Sequence, residues 1–279
     1  MTTAIDFTTL LGHASTSNAG IAACNVVLLE HAEAIVAGAE EAGLPVILQI
    51  SENCVRYHGS LAPITLASLA IARAATVPVL VHLDHVESAE LIREGVELGV
   101  DSVMFDASTL PYEDNVRATK EMVDFCHERG VAVEAELGEV GGKDGVHAPG
   151  ARTVPAEATA FVAATGVDAL AVAVGTSHAM TSREAAVDHD LIRRLRESVA
   201  VPLVLHGSSG LPDDELRAAV RSGMTKINLS THLNGLFTRA VRGVLDERPD
   251  LVDPRTYVRA GRQAVADETA RILRLLASD

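Results

Sequence analysis

The sequence predicts an α/β protein, a (β/α)8 barrel of the TIM type with an extra C-terminal helix, spanning residues 1–279 as a single domain. Three observations carry that prediction. Short apolar runs rich in Val, Ile and Leu recur eight times, each followed by a longer stretch with helical spacing. The runs are nearly continuous rather than alternating, the pattern of strands buried on both faces of a parallel sheet. Eight such units in 279 residues fit the length of a closed barrel. A doubly wound open sheet is the other topology that this rhythm allows.

Taken in order, the strands are expected at 21–26, 46–50, 77–83, 102–106, 131–137, 169–174, 202–206 and 225–228. Helical spacing fills 29–41, 64–74, 88–98, 112–129, 156–164, 189–198, 212–221 and 233–246. The tail from 253 to 276 opens on Asp253-Pro254, a helix-start signal, and reads as an additional helix.

Composition narrows the function. With 38 Asp and Glu against 23 Lys and Arg, the formal charge of -15 repels phosphate backbones, and no basic stripe with interleaved aromatics offsets it, so no nucleic-acid partner is expected. An anionic substrate must be held by local backbone amides, a metal or a few placed side chains. Cys24, Cys54 and Cys126 are far apart and odd in number, which argues against a disulfide framework and for a reducing compartment. The opening MTTAIDFTTLLGHAS has no basic leader and no segment reaches membrane-spanning length, so the expectation is a cytoplasmic protein without a membrane partner.

Polar residues cluster where the strands end. Asn25 ends the first strand, Gln49 and Ser51 the second, Asp84 and His85 the third and Asp106 the fourth. Glu134 and Glu136 lie in the fifth, His178 follows the sixth, His206 ends the seventh and Asn228 the eighth. The carboxyl end of the strands is where barrel enzymes keep their chemistry. His85, His178 and His206 follow three different strands, and a closed barrel would aim all three at one divalent metal, leaving a position for substrate. Asp84 is then either a general acid or base beside the metal or a helix-capping carboxylate. Glu134 and Glu136 share one strand face, and paired acids facing into a barrel need a metal or a cation across the layers.

Two turns, HGSSG at 206–210 and NLST at 228–231, leave the seventh and eighth strands, where barrels most often bind phosphate through backbone amides and a helix N-terminus. The glycine-rich segment GEVGGKDGVHAPGART, 138–153, is either a lid carrying an acid or base or a plain surface loop, with Lys143, Asp144 and His147 as its candidates.

Read together, the blocks ACNVVLLEHAEAIVAGAEEAGLPVILQIS, VPVLVHLDHVES, DSVMFDASTLPYEDNV, VEAELGEVGG, GTSHAM, HGSSG and KINLST resemble, in order and spacing, the class II metal-dependent ketose-bisphosphate aldolases of the fructose- and tagatose-bisphosphate group. The resemblance covers almost the whole chain. It implies a zinc ion (Zn2+) or similar divalent ion held by His85, His178 and His206, and proton transfer at the C4 hydroxyl of the ketose by Asp84. Glu136 is similar to an acid that some members use for an alternative or second metal, with Asp106 beside it. Gly207 and Ser209, with Asn228, Ser230 and Thr231, match positions that hold dihydroxyacetone phosphate, Asn228 nearest the reacting atoms. Asn25, Ser51, Ala179 and Ser208 fall in the same blocks. A monovalent cation, Na+ or K+, is implied near the phosphate, and a homodimer or homotetramer is expected. In such an enzyme the metal acts as a Lewis acid and no Schiff-base lysine is needed, so Lys226 reads as structural or phosphate-adjacent.

Three departures from the family pattern bear on the substrate. The loop has GGKDG where the family has Gly-Gly-x-Glu-Asp, so its proton-handling glutamate is missing or replaced by Asp144. Ala179 stands after His178 where the family has Gly, and its methyl group crowds or re-angles an amide at the phosphate. SENCVRYHG differs from the family's Ser-x-Gly-Ala, touching Ser51. Arg56, Arg255, Arg259 and Arg262 are the basic candidates for a distal phosphate. The alternatives are another metal-dependent barrel acting on a sugar phosphate, an epimerase or isomerase, and a non-catalytic barrel.

Overall fold

The computed structural model describes residues 5–137, 152–176 and 183–277. Its eight strands are β1 (Ile21–Asn25), β2 (Val46–Ser51), β3 (Val79–Val86), β4 (Ser102–Phe105), β5 (Ala132–Leu137), β6 (Ala169–Val172), β7 (Leu203–Leu205) and β8 (Met224–Leu229). They pair in parallel, in sequence order, and β8 closes onto β1. The closed barrel is therefore the topology, and the open sheet is excluded.

The helices are α1 (Phe7–Thr16), α2 (Leu29–Ala42), α3 (Glu52–His58), α4 (Ala62–Ala74), α5 (Ala89–Leu98), α6 (Tyr112–His127), α7 (Pro155–Thr165), α8 (His189–Ser198), α9 (Asp213–Ser222), α10 (Thr231–Glu247) and α11 (Pro254–Leu276). Short polar side chains set several starts by accepting from the first free amides, as Ser88 does from Leu91 and Asp188 from Leu191. The C-terminal α11 begins at the expected Asp253-Pro254 signal and packs along α2. Gly38 makes that packing possible, since a Cβ there would sit 2.9 Å from the Cβ of Thr269. Among the described residues, no helix is long and apolar enough to cross a membrane.

Two helices were not among the expected elements. In α1, Asp6 caps the start by accepting from Thr9 at 2.7 Å, and Phe7, Leu10, Leu11 and Ala14 form one buried face. That face belongs to a core cluster with Ile21, Ala23, Ile47, Leu80, Ala169, Ala171 and Val204, the inward residues of the barrel. α1 thus plugs the barrel from below. The alternate residues of the same strands, among them Ala22, Leu48, Val81, Val133, Leu170 and Ile227, form a second cluster under the outer helices. This division by strand parity is what a closed sheet imposes. The second unforeseen helix, α3, opens on Ser51, whose hydroxyl accepts from the amide of Cys54.

Candidate active site

Above the apolar plug, the inward positions turn polar. Gln49, His82, Ser102, Glu134 and Lys226 are fully buried, and Asn25, Asp84, His85, Asp106, Glu136, His206 and Asn228 are buried around them. Lys226 pairs with Glu134 at 2.9 Å, so the cation that the paired acids of β5 require comes from β8. Glu136, one layer higher, accepts from His206 Nδ1 at 2.9 Å, while His206 Nε2 faces Glu134 at 3.2 Å.

The third strand departs from regular geometry where the chemistry is concentrated. Its pairing with β4 shifts register between Leu83 and Val86, and His85 takes a left-handed backbone with φ of 49°. In a regular strand, Asp84 and His85 would point to opposite faces. The bulge re-aims them, at a backbone cost of roughly 1–3 kcal/mol for a non-glycine residue held in that region. The sequence placed these two residues past the strand's end, whereas the strand runs on to Val86.

Ligand atoms of Asp84, His85 and His206 lie within 4.8 Å of one another, as do those of His85, Asp106 and Glu136. The His85 and His206 rings meet edge to face with centroids 4.5 Å apart. Carboxylates hold both rings: Asp106 bonds His85 Nδ1 at 2.7 Å, while Glu136 bonds His206 at Nδ1 and Glu134 bonds it at Nε2. Carboxylates that fix the tilt and tautomer of imidazoles are the usual supports of metal-ligating histidines. Asp106 is itself held by the hydroxyl of Ser108 at 2.6 Å. Buried imidazole nitrogens with carboxylate oxygens form a donor set that suits zinc and neighbouring divalent ions, so the residues fit such an ion. His178, the third expected ligand, lies outside the described residues, as do Ala179 and Asp144.

Asp84 is held by two amides. Asn25 Nδ2 donates to Oδ2 at 2.8 Å and Asn228 Nδ2 to Oδ1 at 3.3 Å. Burial works to raise the Asp84 carboxyl, but its neighbours His85, Lys226 and His206, with the Asn25 bond, hold it below the ordinary range. It is a carboxylate, poised to accept a proton. Burial likewise opposes a charged His206, yet hydrogen bonds to Glu134 and Glu136 prevail and lift it to about 9. Burial and the nearby Lys226 charge lower His82 to about 3, so that ring is neutral where it bonds Ser102 and stacks on Phe7.

The two turns expected to hold phosphate lie side by side. Gly207, with φ of 67°, leads into a 3-10 turn at Ser208–Gly210. The Ser208 hydroxyl donates to the carbonyl of Asn228, and Ser209 Oγ accepts from the amide of Ser230 at 3.3 Å. Ser230 and Thr231 open α10, so its free amides face the same corner. The hydroxyl of Thr176 donates to the carbonyl of His206 at 2.6 Å and ties the end of β6 to this turn. Ser51 instead caps α3. Of the arginines considered for a distal phosphate, Arg56 pairs with Glu52, Arg255 with Asp253 and Arg262 with Glu33.

The family model of class II fructose-bisphosphate aldolases matches residues 5–279. The chain belongs to that family. It is similar to the YdjI aldolase of Escherichia coli, with 34% identity over 99% of this chain and 98% of that one, at a TM-score of 0.84. It also resembles a Coccidioides immitis protein assigned as a fructose-1,6-biphosphate aldolase, with 30% identity over 96% and 94% of the two chains and a TM-score of 0.86. Campylobacter jejuni fructose-bisphosphate aldolase, 21% identical over 98% of this chain and 95% of that one, shares the fold at a TM-score of 0.79. The buried His, Asp and Glu cluster at the carboxyl end of the barrel is consistent with the divalent-metal site of a class II aldolase.

Beneath this site, the sequence named Gln49 at a strand end and Lys226 as structural or phosphate-adjacent, without their partners. Gln49 and Lys226 bond the amides of Asn25 and Asn228 from below. The available signal was parity: Lys226 lies two residues before Asn228 and shares its inward face.

Proposed function

We propose that Asp84 is the acid–base residue of a zinc-type aldolase that cleaves a ketose 1,6-bisphosphate, of the fructose or tagatose type, to dihydroxyacetone phosphate and an aldehyde. As a class II aldolase, the chain carries out reversible, metal-dependent cleavage of a ketose bisphosphate. The observation that carries the role of Asp84 is its place within 4.8 Å of His85 and His206, between two amide donors.

His85 and His206, with His178 as third ligand, would hold the ion, and Asp106 and Glu136 support them or accept the ion in a second position. A divalent ion bound there supplies Lewis-acid polarisation of the ketose carbonyl. Asp84, ionised, takes the proton of the C4 hydroxyl as the C3–C4 bond breaks and the aldehyde forms, and it returns that proton in condensation. Asn25 and Asn228 keep both carboxylate oxygens aimed. The corner made by Gly207, Ser208, Ser209, Ser230 and Thr231, with Ala179, binds the phosphate of the dihydroxyacetone half, where helix-start amides favour an anion despite the acidic protein. A monovalent cation, Na+ or K+, assists there. Asp144 takes the place of the loop acid that handles the C3 proton, and Ser51 lies on the aldehyde side.

We infer a cytoplasmic homodimer or homotetramer of single-domain chains, a reading that three free, buried cysteines support as to compartment. The substrate test is triose-phosphate release from a panel of phosphorylated ketoses. Cleavage of fructose or tagatose 1,6-bisphosphate above all others supports the reading, and preference for a ketose with one phosphate or another chain length would overturn it.

A further inference from the structure

Lys226 is among the largest fully buried side chains of the protein, in the middle of a barrel where an apolar residue would cost less to bury. Its charge is matched by Glu134 at 2.9 Å, and its Nζ also donates to Asn228 Oδ1 at 2.9 Å. We propose that Lys226 is a positioning residue for the aldol step, fixing which end of the Asn228 amide faces Asp84. The inference rests on the role given to Asp84 above.

The argument is one of donors and acceptors. An asparagine amide has an accepting end and a donating end, and rotation by half a turn exchanges them. An ammonium group has three donors and no acceptor, so Lys226 can bond only the oxygen end. That leaves Nδ2 of Asn228 toward Asp84 Oδ1, the observed contact at 3.3 Å. A flipped amide would set N–H against the ammonium and oxygen against the carboxylate, two repulsive contacts where there are now two bonds. With Nζ engaged by Glu134 and Asn228 beneath the mouth, the lysine is held away from any carbonyl chemistry above it.

The other oxygen of Asp84 repeats the arrangement without a charge. Gln49 Nε2 donates to Asn25 Oδ1 at 2.9 Å, and Asn25 Nδ2 donates to Asp84 Oδ2 at 2.8 Å. Each carboxylate oxygen thus receives an amide donor whose orientation is set by a second donor one layer lower, on β2 and on β8. Lys226 and Asn228 meet because residues two apart on a strand share a face.

The test separates this role from support of the fold. Lys226→Met alone strands the buried Glu134 carboxylate, so the informative pair is the Glu134→Gln enzyme against the Glu134→Gln, Lys226→Met enzyme, both zinc-loaded. In the pair, the second substitution is expected to lower kcat for ketose-bisphosphate cleavage tenfold or more, with KM within threefold, zinc content unchanged and the unfolding midpoint not lowered, since it removes an ammonium whose carboxylate partner is already gone. Solvent-deuterium entry at C3 of dihydroxyacetone phosphate, whose proton is not handled by Asp84, is expected to stay within threefold. Equal kcat within twofold would overturn the inference, as would exchange falling in step with cleavage, because either makes Lys226 a general support. A double variant that does not fold would also overturn it, since the neutral pair is then structural. Wild-type protein that cleaves no ketose bisphosphate would overturn the aldolase reading and this inference together.

Discussion

Raising the pH of the metal-free protein from about 7 to about 9 should tighten divalent-metal binding by about fiftyfold, through His206. Burial disfavours a charge on this ring, but Glu134 and Glu136 together lift it to about 9, so at neutral pH it carries a proton. A metal needs the neutral imidazole, and binding at neutral pH must expel that proton. Protonation at pH 7 costs metal binding roughly 3 kcal/mol, recovered in full only above pH about 9. Stability of the metal-free protein moves the other way. The folded value lies above the ordinary ~6.5, so this group contributes roughly 3 kcal/mol that is fully present below pH ~6.5 and disappears as the pH rises through about 9. Competition for zinc with a chromophoric chelator across that range measures the affinity. Titration calorimetry in buffers of different ionisation enthalpy should show about one proton released per ion at neutral pH. Equal affinity at both ends of the range, with no proton released, would refute the reasoning, because the two carboxylates would then not be charging His206.

Other perturbations test other links. Asp84→Asn keeps the size and the neighbours of the side chain but removes the base, so kcat for cleavage should fall by about 10²–10⁴ while zinc content is retained; atomic absorption beside steady-state kinetics checks both. Phe7→Ala removes the plug side chain stacked on His82 with ring centroids 5.7 Å apart, and should cost about 3–5 kcal/mol in denaturant unfolding. Gly38→Ala forces a methyl group against Thr269 and the backbone of Ala266 where α2 meets α11, and should destabilise by about 1–3 kcal/mol in the same assay. Asp144→Asn should slow solvent exchange at C3 of dihydroxyacetone phosphate by about tenfold or more, and wild-type exchange would remove Asp144 from the proton path.

The barrel was legible because its strands are apolar on both faces and its helices carry a 3.6-residue period, two signals that need no knowledge of contacts. Polar residues at the strand ends were legible for the same reason: each interrupts an apolar run. The helix at 7–16 had its signal too, with Asp6 before apolar residues at 7, 10, 11 and 14, but three threonines and a glycine within it weaken the pattern. The seven-residue α3 is too short to show a period, and its start depends on whether Ser51 turns to its own backbone or toward a ligand. The bulge that sets Asp84 beside His85 follows from the pairing of β3 with β4, a long-range register with no local signature. Lys226 illustrates the same limit. A lysine in an apolar strand is visible, and parity puts Asn228 on its face, but its partner Glu134 becomes apparent only when the barrel closes and brings β5 and β8 around one interior.

The proposed metal-dependent cleavage depends on the cluster of Asp84, His85 and His206. Its most direct test is triose-phosphate release from a ketose 1,6-bisphosphate before chelation, after removal of bound metal, and after zinc is added back. The account predicts that cleavage is lost with the metal and returns with one zinc per chain, and that His206→Ala neither retains the ion nor recovers activity. Cleavage at an unchanged rate in fully chelated protein would contradict it.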